Sequence, residues 1–175
     1  MKKLNISGKN FQKIFTILLL IICVCSMSLT AQAAKNKFVK KSGKTYYYNS
    51  KGQKAKGLKK IKGSYYYFNK KGVLYKKGWK TVKGRKYYFS KKTGAAYTGS
   101  KKVGTKTYLF AKTGVRHNTG FVTYKGARYY VKNGVLQKGW KTIGKHTYYF
   151  ASNGVMQRNK WVSGKYLGKD GFVVA

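Results

Sequence analysis

Self-similarity governs this chain from Phe38 onward. Equivalent positions, most of them aromatic or apolar, recur at Phe38, Leu58, Trp79, Ser100, Phe121, Trp140 and Trp161, at intervals of about 21 residues. Each unit follows one grammar. The opening residue is followed by a basic turn with glycine, as in Lys62-Gly63, Lys83-Gly84 and Lys125-Gly126. Then comes an aromatic run such as Tyr65-Tyr66-Tyr67-Phe68, Tyr87-Tyr88-Phe89 or Tyr148-Tyr149-Phe150. A second turn holds Gly72, Gly94, Gly114, Gly134 or Gly154, and a short apolar-polar stretch leads to the next opener. Six units are complete and a seventh runs to Ala175. A period this short allows one supersecondary element per unit, so the chain must be an array.

The element is a β-hairpin. Short aromatic and β-branched runs bounded by Gly, Asn, Ser and Lys read as strands joined by turns, and no stretch sustains a helical apolar period. Glycine supplies the positive φ that tight hairpin turns require. Alternation along each run divides the side chains between two faces. One face takes Tyr46 and Tyr48, Tyr66 and Phe68, Tyr87 and Phe89, Tyr108 and Phe110, Tyr129 and Val131, and Tyr148 and Phe150. This face is the expected core, since apart from Tyr48 its terminal members have no polar tip. Tyr47, Tyr67, Tyr88, Leu109, Tyr130 and Tyr149 take the other face. A single hairpin buries too little apolar surface to offset the ordering of its backbone, so stability has to come from stacking one hairpin on the next. The expected fold is an all-β solenoid of tandem hairpin repeats, its first and last units frayed or capping.

The N-terminus reads as an address. Lys2, Lys3, Lys9 and Lys13 form a basic region, Ile14 to about Leu29 an apolar run, and Ala31-Gln32-Ala33 a signal-peptidase site. The apolar run is shorter than the roughly 20 residues a membrane-spanning helix needs, and Ser26, Ser28 and Thr30 interrupt its far end. Val24 before Cys25 does not suit lipid attachment. The expected organisation is a cleaved signal peptide over 1–33, a short segment over 34–37 and the repeat array over 38–175. Both cysteines, Cys23 and Cys25, fall in the leader, so the exported part carries no disulfide and no thiolate metal site.

The stretch Gly78-Trp79-Lys80-Thr81-Val82-Lys83-Gly84 followed by Tyr87-Tyr88-Phe89 resembles the cell-wall-binding repeat of Gram-positive bacteria. Gly139-Trp140 through Tyr148-Tyr149-Phe150 to Gly154-Val155-Met156 is a still closer match. That family includes the choline-binding and glucan-binding repeats of secreted autolysins, glucosyltransferases and toxins. It implies a left-handed β-hairpin solenoid that docks secreted proteins onto wall polymers. In its choline-binding members the resemblance implies an aromatic cage around a quaternary ammonium, held by cation–π attraction. The opening aromatic supplies one wall and a second tryptophan, just before the Tyr-Tyr pair, another. Here the opener is aromatic at Phe38, Trp79, Phe121, Trp140 and Trp161 but not at Leu58 or Ser100. The second position holds Thr45, Tyr65, Lys86, Thr107, Arg128 and Thr147, so Tyr65 alone keeps an aromatic wall. Lys86 and Arg128 would set a cation where choline's own cation must sit. A site around Tyr65, Tyr67 and Trp79 is the best survivor.

Charge points the same way. The chain has 40 Lys and Arg against one acid, Asp170, an imbalance beyond what solubility requires. The preferred function is therefore a non-catalytic secreted wall or matrix protein that holds anionic polymers, teichoic acid or acidic glycan. Lysines supply a diffuse field, and Tyr47, Tyr65, Tyr67, Trp79, Tyr88, Phe121, Tyr130, Trp140, Tyr149 and Trp161 are the candidate ligand-binding aromatics. One alternative is a choline- or glucan-binding module with a few surviving sites. Another is a cationic effector that binds anionic membranes or extracellular DNA, since basic and aromatic residues interleave as in single-strand binders. An enzyme is disfavoured, because glycoside hydrolysis needs two carboxylates and Asp170 stands alone near a terminus. His117 and His146 read as exposed turn histidines, and no cofactor or metal is implied.

Overall fold

A computed structural model describes residues 34–174. The signal peptide expected over 1–33 lies outside the described residues. By contact density the chain divides into two compact units. Among the described residues one is 34–57 with Phe68–Leu74, and the other is Leu58–Tyr67 with 75–174.

Seven antiparallel hairpins occur among the described residues, and no helix does. They are β1 (Lys37–Lys41) with β2 (Lys44–Tyr48), β3 (Gly57–Ile61) with β4 (Ser64–Phe68), and β5 (Gly78–Val82) with β6 (Arg85–Phe89). Next come β7 (Gly99–Val103) with β8 (Lys106–Phe110) and β9 (Gly120–Tyr124) with β10 (Ala127–Lys132). The two-residue strand β11 (Val135–Leu136) precedes β12 (Gly139–Ile143) with β13 (His146–Phe150) and β14 (Lys160–Val162) with β15 (Lys165–Leu167). Every first strand starts one residue before the opener read from the repeat, so the period found in the sequence is the period of the hairpins.

Two-residue turns close the hairpins, and their chemistry explains the glycines. Ser42-Gly43, Lys62-Gly63, Lys83-Gly84, Lys125-Gly126 and Ser163-Gly164 all have positive φ at both central residues, the twist that suits a tight hairpin. In the fourth and sixth repeats a glycine stands first instead, Gly104 and Gly144, each with φ near +60°. Lysine in the left-handed region crowds its Cβ against the following carbonyl, so Lys62, Lys83 and Lys125 hold these turns at some cost.

After each hairpin a short tail returns as a third strand. Inside the second unit it hydrogen-bonds on both edges. The Tyr97 amide donates to the Tyr88 carbonyl of its own repeat, while the Ala96 amide donates to the Tyr65 carbonyl of the repeat before. The same two-sided pattern is made by His117 to Leu109 with Arg116 to Lys86, and by Gln157 to Tyr149 with Met156 to Arg128. Val174 to Tyr166 with Val173 to Thr147 completes the set. In the fifth repeat the tail is regular enough to be β11, and the order β7-β8-β11-β10-β9 makes one five-stranded sheet. In the first unit the Leu74 amide donates to the Thr45 carbonyl and Ala55 to Tyr47.

The core follows the expected face in part. Phe68, Phe89, Phe110, Val131 and Phe150 are completely buried. Their partners two residues earlier, Tyr66, Tyr108, Tyr129 and Tyr148, are half-buried, with Tyr87 the buried exception. Leu109 departs from the expectation. It belongs to the face read as outer, yet it is fully buried and clusters with Val131 and Leu136. Its hairpin opens on Ser100, whose register partner is Leu109, so no aromatic ring competes for that space.

Candidate functional site

The hairpin register pairs each aromatic opener with an aromatic on the second strand. Phe38 faces Tyr47, Trp79 faces Tyr88, Phe121 faces Tyr130, Trp140 faces Tyr149 and Trp161 faces Tyr166. In all five pairs the ring centroids lie 5.0–5.5 Å apart in edge or tilted contact. Nine of the ten candidates, all but Trp161, are half-buried. Trp161 is 69% exposed and presents the most open ring of the set. These five openers and their partners are thus paired across strands, each committing a face or an edge to its neighbour.

Openers also reach the next repeat. Trp79 packs on Tyr108 at 4.8 Å and on Phe110 at 5.9 Å, and Phe121 packs on Tyr148 at 5.2 Å. Tyr67 turns elsewhere, to Tyr75 at 6.2 Å and Phe89 at 6.4 Å. The Tyr75 hydroxyl donates to the Trp79 carbonyl at 2.7 Å. Tyr67 and Trp79, grouped with Tyr65 from sequence, therefore look to different neighbours.

The chain's own cations stand over three of the ten candidate rings, Tyr67, Phe121 and Trp140, and over several tyrosines besides. Lys80 Nζ lies 4.5 Å from the Tyr67 centroid and 5.0 Å from that of Tyr75. The Arg128 guanidinium lies 4.7 Å from Phe121, and Lys165 Nζ 5.5 Å from Trp140. Lys54 over Tyr46 and Lys101 over Tyr97 repeat the motif at 4.6 Å. Arg128 was expected to repel a choline cation from the second cage position. It does more, since it occupies the aromatic face that such a cation would use.

Trp79, unlike Phe121 and Trp140, carries no such cation: among the described residues no lysine or arginine stands over its ring. It opens instead onto a cavity of about 400 Å³, lined by Trp79, Lys80, Thr81, Lys86, Tyr108 and Arg116. A second cavity of similar volume shares Lys86 and Arg116 and adds Arg85 and Asn118. Arg116 was missed in the sequence reading, though a signal was there. Opposite the terminal residue of each hairpin the tail places Lys54, Leu74, Ala96, Arg116, Met156 and Val173, with Leu136 equivalent in β11. Two cations interrupt that otherwise apolar row, and where Lys54 is exposed Arg116 is half-buried.

The histidines are not exposed turn residues. His117 sits half-buried in the fourth tail, and burial lowers its pKa from the ordinary value. Its Nε2 is buried without a hydrogen-bond partner. His146 opens β13 and stacks on Phe172 at 4.1 Å. Both were misread because the tail and the second strand begin immediately after turns.

Known proteins match this architecture. The profile of the cell wall binding repeat, of the choline-binding type, fits residues 36–54, 56–74, 77–96, 119–134 and 138–156. Together these make up more than half of the chain. The fourth repeat, which contributes Tyr108 and Arg116, falls outside them. A search of curated protein sequences gives no match. Among solved structures, choline binding protein F of Streptococcus pneumoniae, in the presence of a peptidoglycan analogue, is 29% identical with a TM-score of 0.64. That match covers 79% of this chain and 46% of the other. CbpJ of Streptococcus pneumoniae is 25% identical with a TM-score of 0.61, over 78% of this chain and 47% of the other. The autolysin LytC of the same organism, at 20% identity, shares the fold with a TM-score of 0.51, over 81% of this chain and 38% of the other. The chain thus spans less than half the length of these proteins. With the period, the hairpin register and the profile in agreement, the chain belongs to the cell wall binding repeat family.

Proposed function

We propose that this array is a non-catalytic, exported attachment module for anionic wall polymers, teichoic acid or an acidic glycan. The observation that carries this reading is the set of tethered cations over the rings of Tyr67, Tyr75, Tyr97, Phe121 and Trp140. A quaternary ammonium needs a free electron-rich face, and these are taken. A polyanion needs unpaired cations, and with one acid in the whole sequence almost all of them lack an internal counter-ion. Membership in a wall-binding family supports the attachment. So does the likeness to choline binding protein F, studied with a peptidoglycan analogue.

Retention on purified Gram-positive walls, with and without their teichoic acid and across a salt series, tests the proposal. Retention should fall when the teichoic acid is stripped and fall again with rising salt, while choline-resin and dextran should compete weakly. Retention indifferent to both treatments would overturn it. Elution by free choline alone would restore the family's choline-binding role. Preferential capture by anionic vesicles or DNA would support the effector alternative.

A further inference from the structure

The cavity between the third and fourth repeats differs from the rest of the array, and we infer that it is a discrete subsite for an anionic sugar, a pyranose ring bearing a carboxylate or a phosphate. The inference rests on the proposed attachment to anionic polymers and adds to it a defined place and a ligand unit.

Three observations converge there. The first is the pairing of ring and charge. Trp79 and Tyr108, 4.8 Å apart and nearly perpendicular, form an aromatic corner of the cavity, and Lys86 and Arg116 line it with them. An aromatic corner accepts the C–H face of a pyranose, and two adjacent cations accept the anionic substituent. The second is the state of Arg116. Its Nε is buried and has no hydrogen-bond partner, and one guanidinium NH2 donates to Asn118 Oδ1 at 3.2 Å. A guanidinium that gives up water at one nitrogen without a carboxylate in return lacks a counter-charge. The chain cannot supply it, because its single carboxylate side chain, Asp170, is exposed in the seventh repeat.

The third is the comparison with the equivalent place between the fifth and sixth repeats. There Phe121 and Tyr148 make the same corner, Arg128 takes the position of Lys86, and Met156 takes that of Arg116. Arg128 folds onto Phe121 and closes that face. At the earlier place no cation stands over Trp79, and the tail residue is a second cation rather than an apolar side chain. Lys80 belongs less to this cavity than its lining suggests, since its ammonium stands over Tyr67 and Tyr75. The charge recognition therefore falls to Lys86 and Arg116, and a second cavity sharing both gives a bound polymer room to continue.

The test is a titration of the full protein carrying Trp140→Phe and Trp161→Phe, so that fluorescence reports Trp79 alone. The probes are glucuronate, glucose 6-phosphate, glucose, inorganic phosphate and choline chloride. The two anionic sugars should saturate the signal at concentrations at least 10-fold lower than glucose or inorganic phosphate. Arg116→Met, which copies the residue at the equivalent Met156, should raise that concentration at least 10-fold, and Lys86→Thr should raise it 3-fold or more. Lys132→Met removes an exposed charge elsewhere and should leave it within 2-fold. A loss in Lys132→Met equal to that in Arg116→Met would mean a diffuse field and would overturn the subsite. So would equal binding of glucose, of inorganic phosphate or of choline. Circular dichroism confirms that each variant folds, and Arg116→Lys should recover part of the affinity if charge, not packing, is what Arg116 contributes. Wall retention of the same variants separates the two ideas. Salt-sensitive retention unaffected by Arg116→Met beyond the Lys132→Met control, with no sugar selectivity, removes the subsite and leaves polymer attachment standing. Absence of teichoic-acid-dependent retention removes the attachment itself.

Discussion

Single residues carry two kinds of load here, conformational and electrostatic. Lys83 and Lys125 hold left-handed φ in their hairpin turns, where asparagine is more at ease. Lys83→Asn should therefore raise stability by about 0.5–1 kcal/mol more than Lys83→Gln, which removes the same charge, as measured by urea denaturation. Phe110 lies at zero exposure under Trp79 of the preceding repeat, so Phe110→Ala should cost about 3–5 kcal/mol. His117 gives a pH signature. Burial holds its pKa below the ordinary value of roughly 6.5, so the unfolded chain takes up that proton before the folded one does. The stability tied to neutral His117 is complete above that ordinary value. It should be lost as pH falls through it towards the lowered folded value, and His117→Gln should flatten the slope in a series of denaturation curves. Much at this scale could be read from the sequence. The Tyr-Tyr-Phe runs marked their buried last members, and the Lys-Gly pairs marked the turns. Lys80 over Tyr67 was not legible, because alternation assigns a face and says nothing of which long side chain bends back over which ring.

At the scale of the element, the hairpins were legible and the tails were not. Strand alternation and turn glycines are local signals, whereas a tail such as Val115-Arg116-His117 is ordered by bonds to Leu109 in its own repeat and Lys86 in the previous one. Nothing in its own few residues announces a strand. The same blindness hid the candidate cavity, whose lining comes from β5, β6, β8 and a tail. Leu109 shows the converse error. Alternation placed it outward, and the absence of an aromatic opener at Ser100 let it become core. The tail depends on its turn glycine. Gly154 has φ +83°, and a Cβ there would run into the side chain of Leu136. Gly154→Ala should destabilise the array by about 1–2 kcal/mol or more from the backbone conformation alone, detectable as a lower denaturation midpoint.

For the whole molecule, charge sets the conditions. With 40 basic residues and one acid, repulsion opposes compaction wherever salt is low. Circular dichroism should show ordered structure strengthening as salt rises, while retention on teichoic acid weakens over the same range. A polyanion added at low salt should restore the signal that salt alone would otherwise provide. The two-sided tail has a further consequence, for the order in which the array can be made. A hairpin such as β5–β6 is left with an unpaired edge at Lys86 until the Arg116 amide of the following repeat arrives to close it. Closure therefore runs in one direction along the chain. A polypeptide that emerges N-terminus first, from a ribosome or a translocation channel, can complete each repeat as the next appears, and the growing end is the place where a strand edge waits.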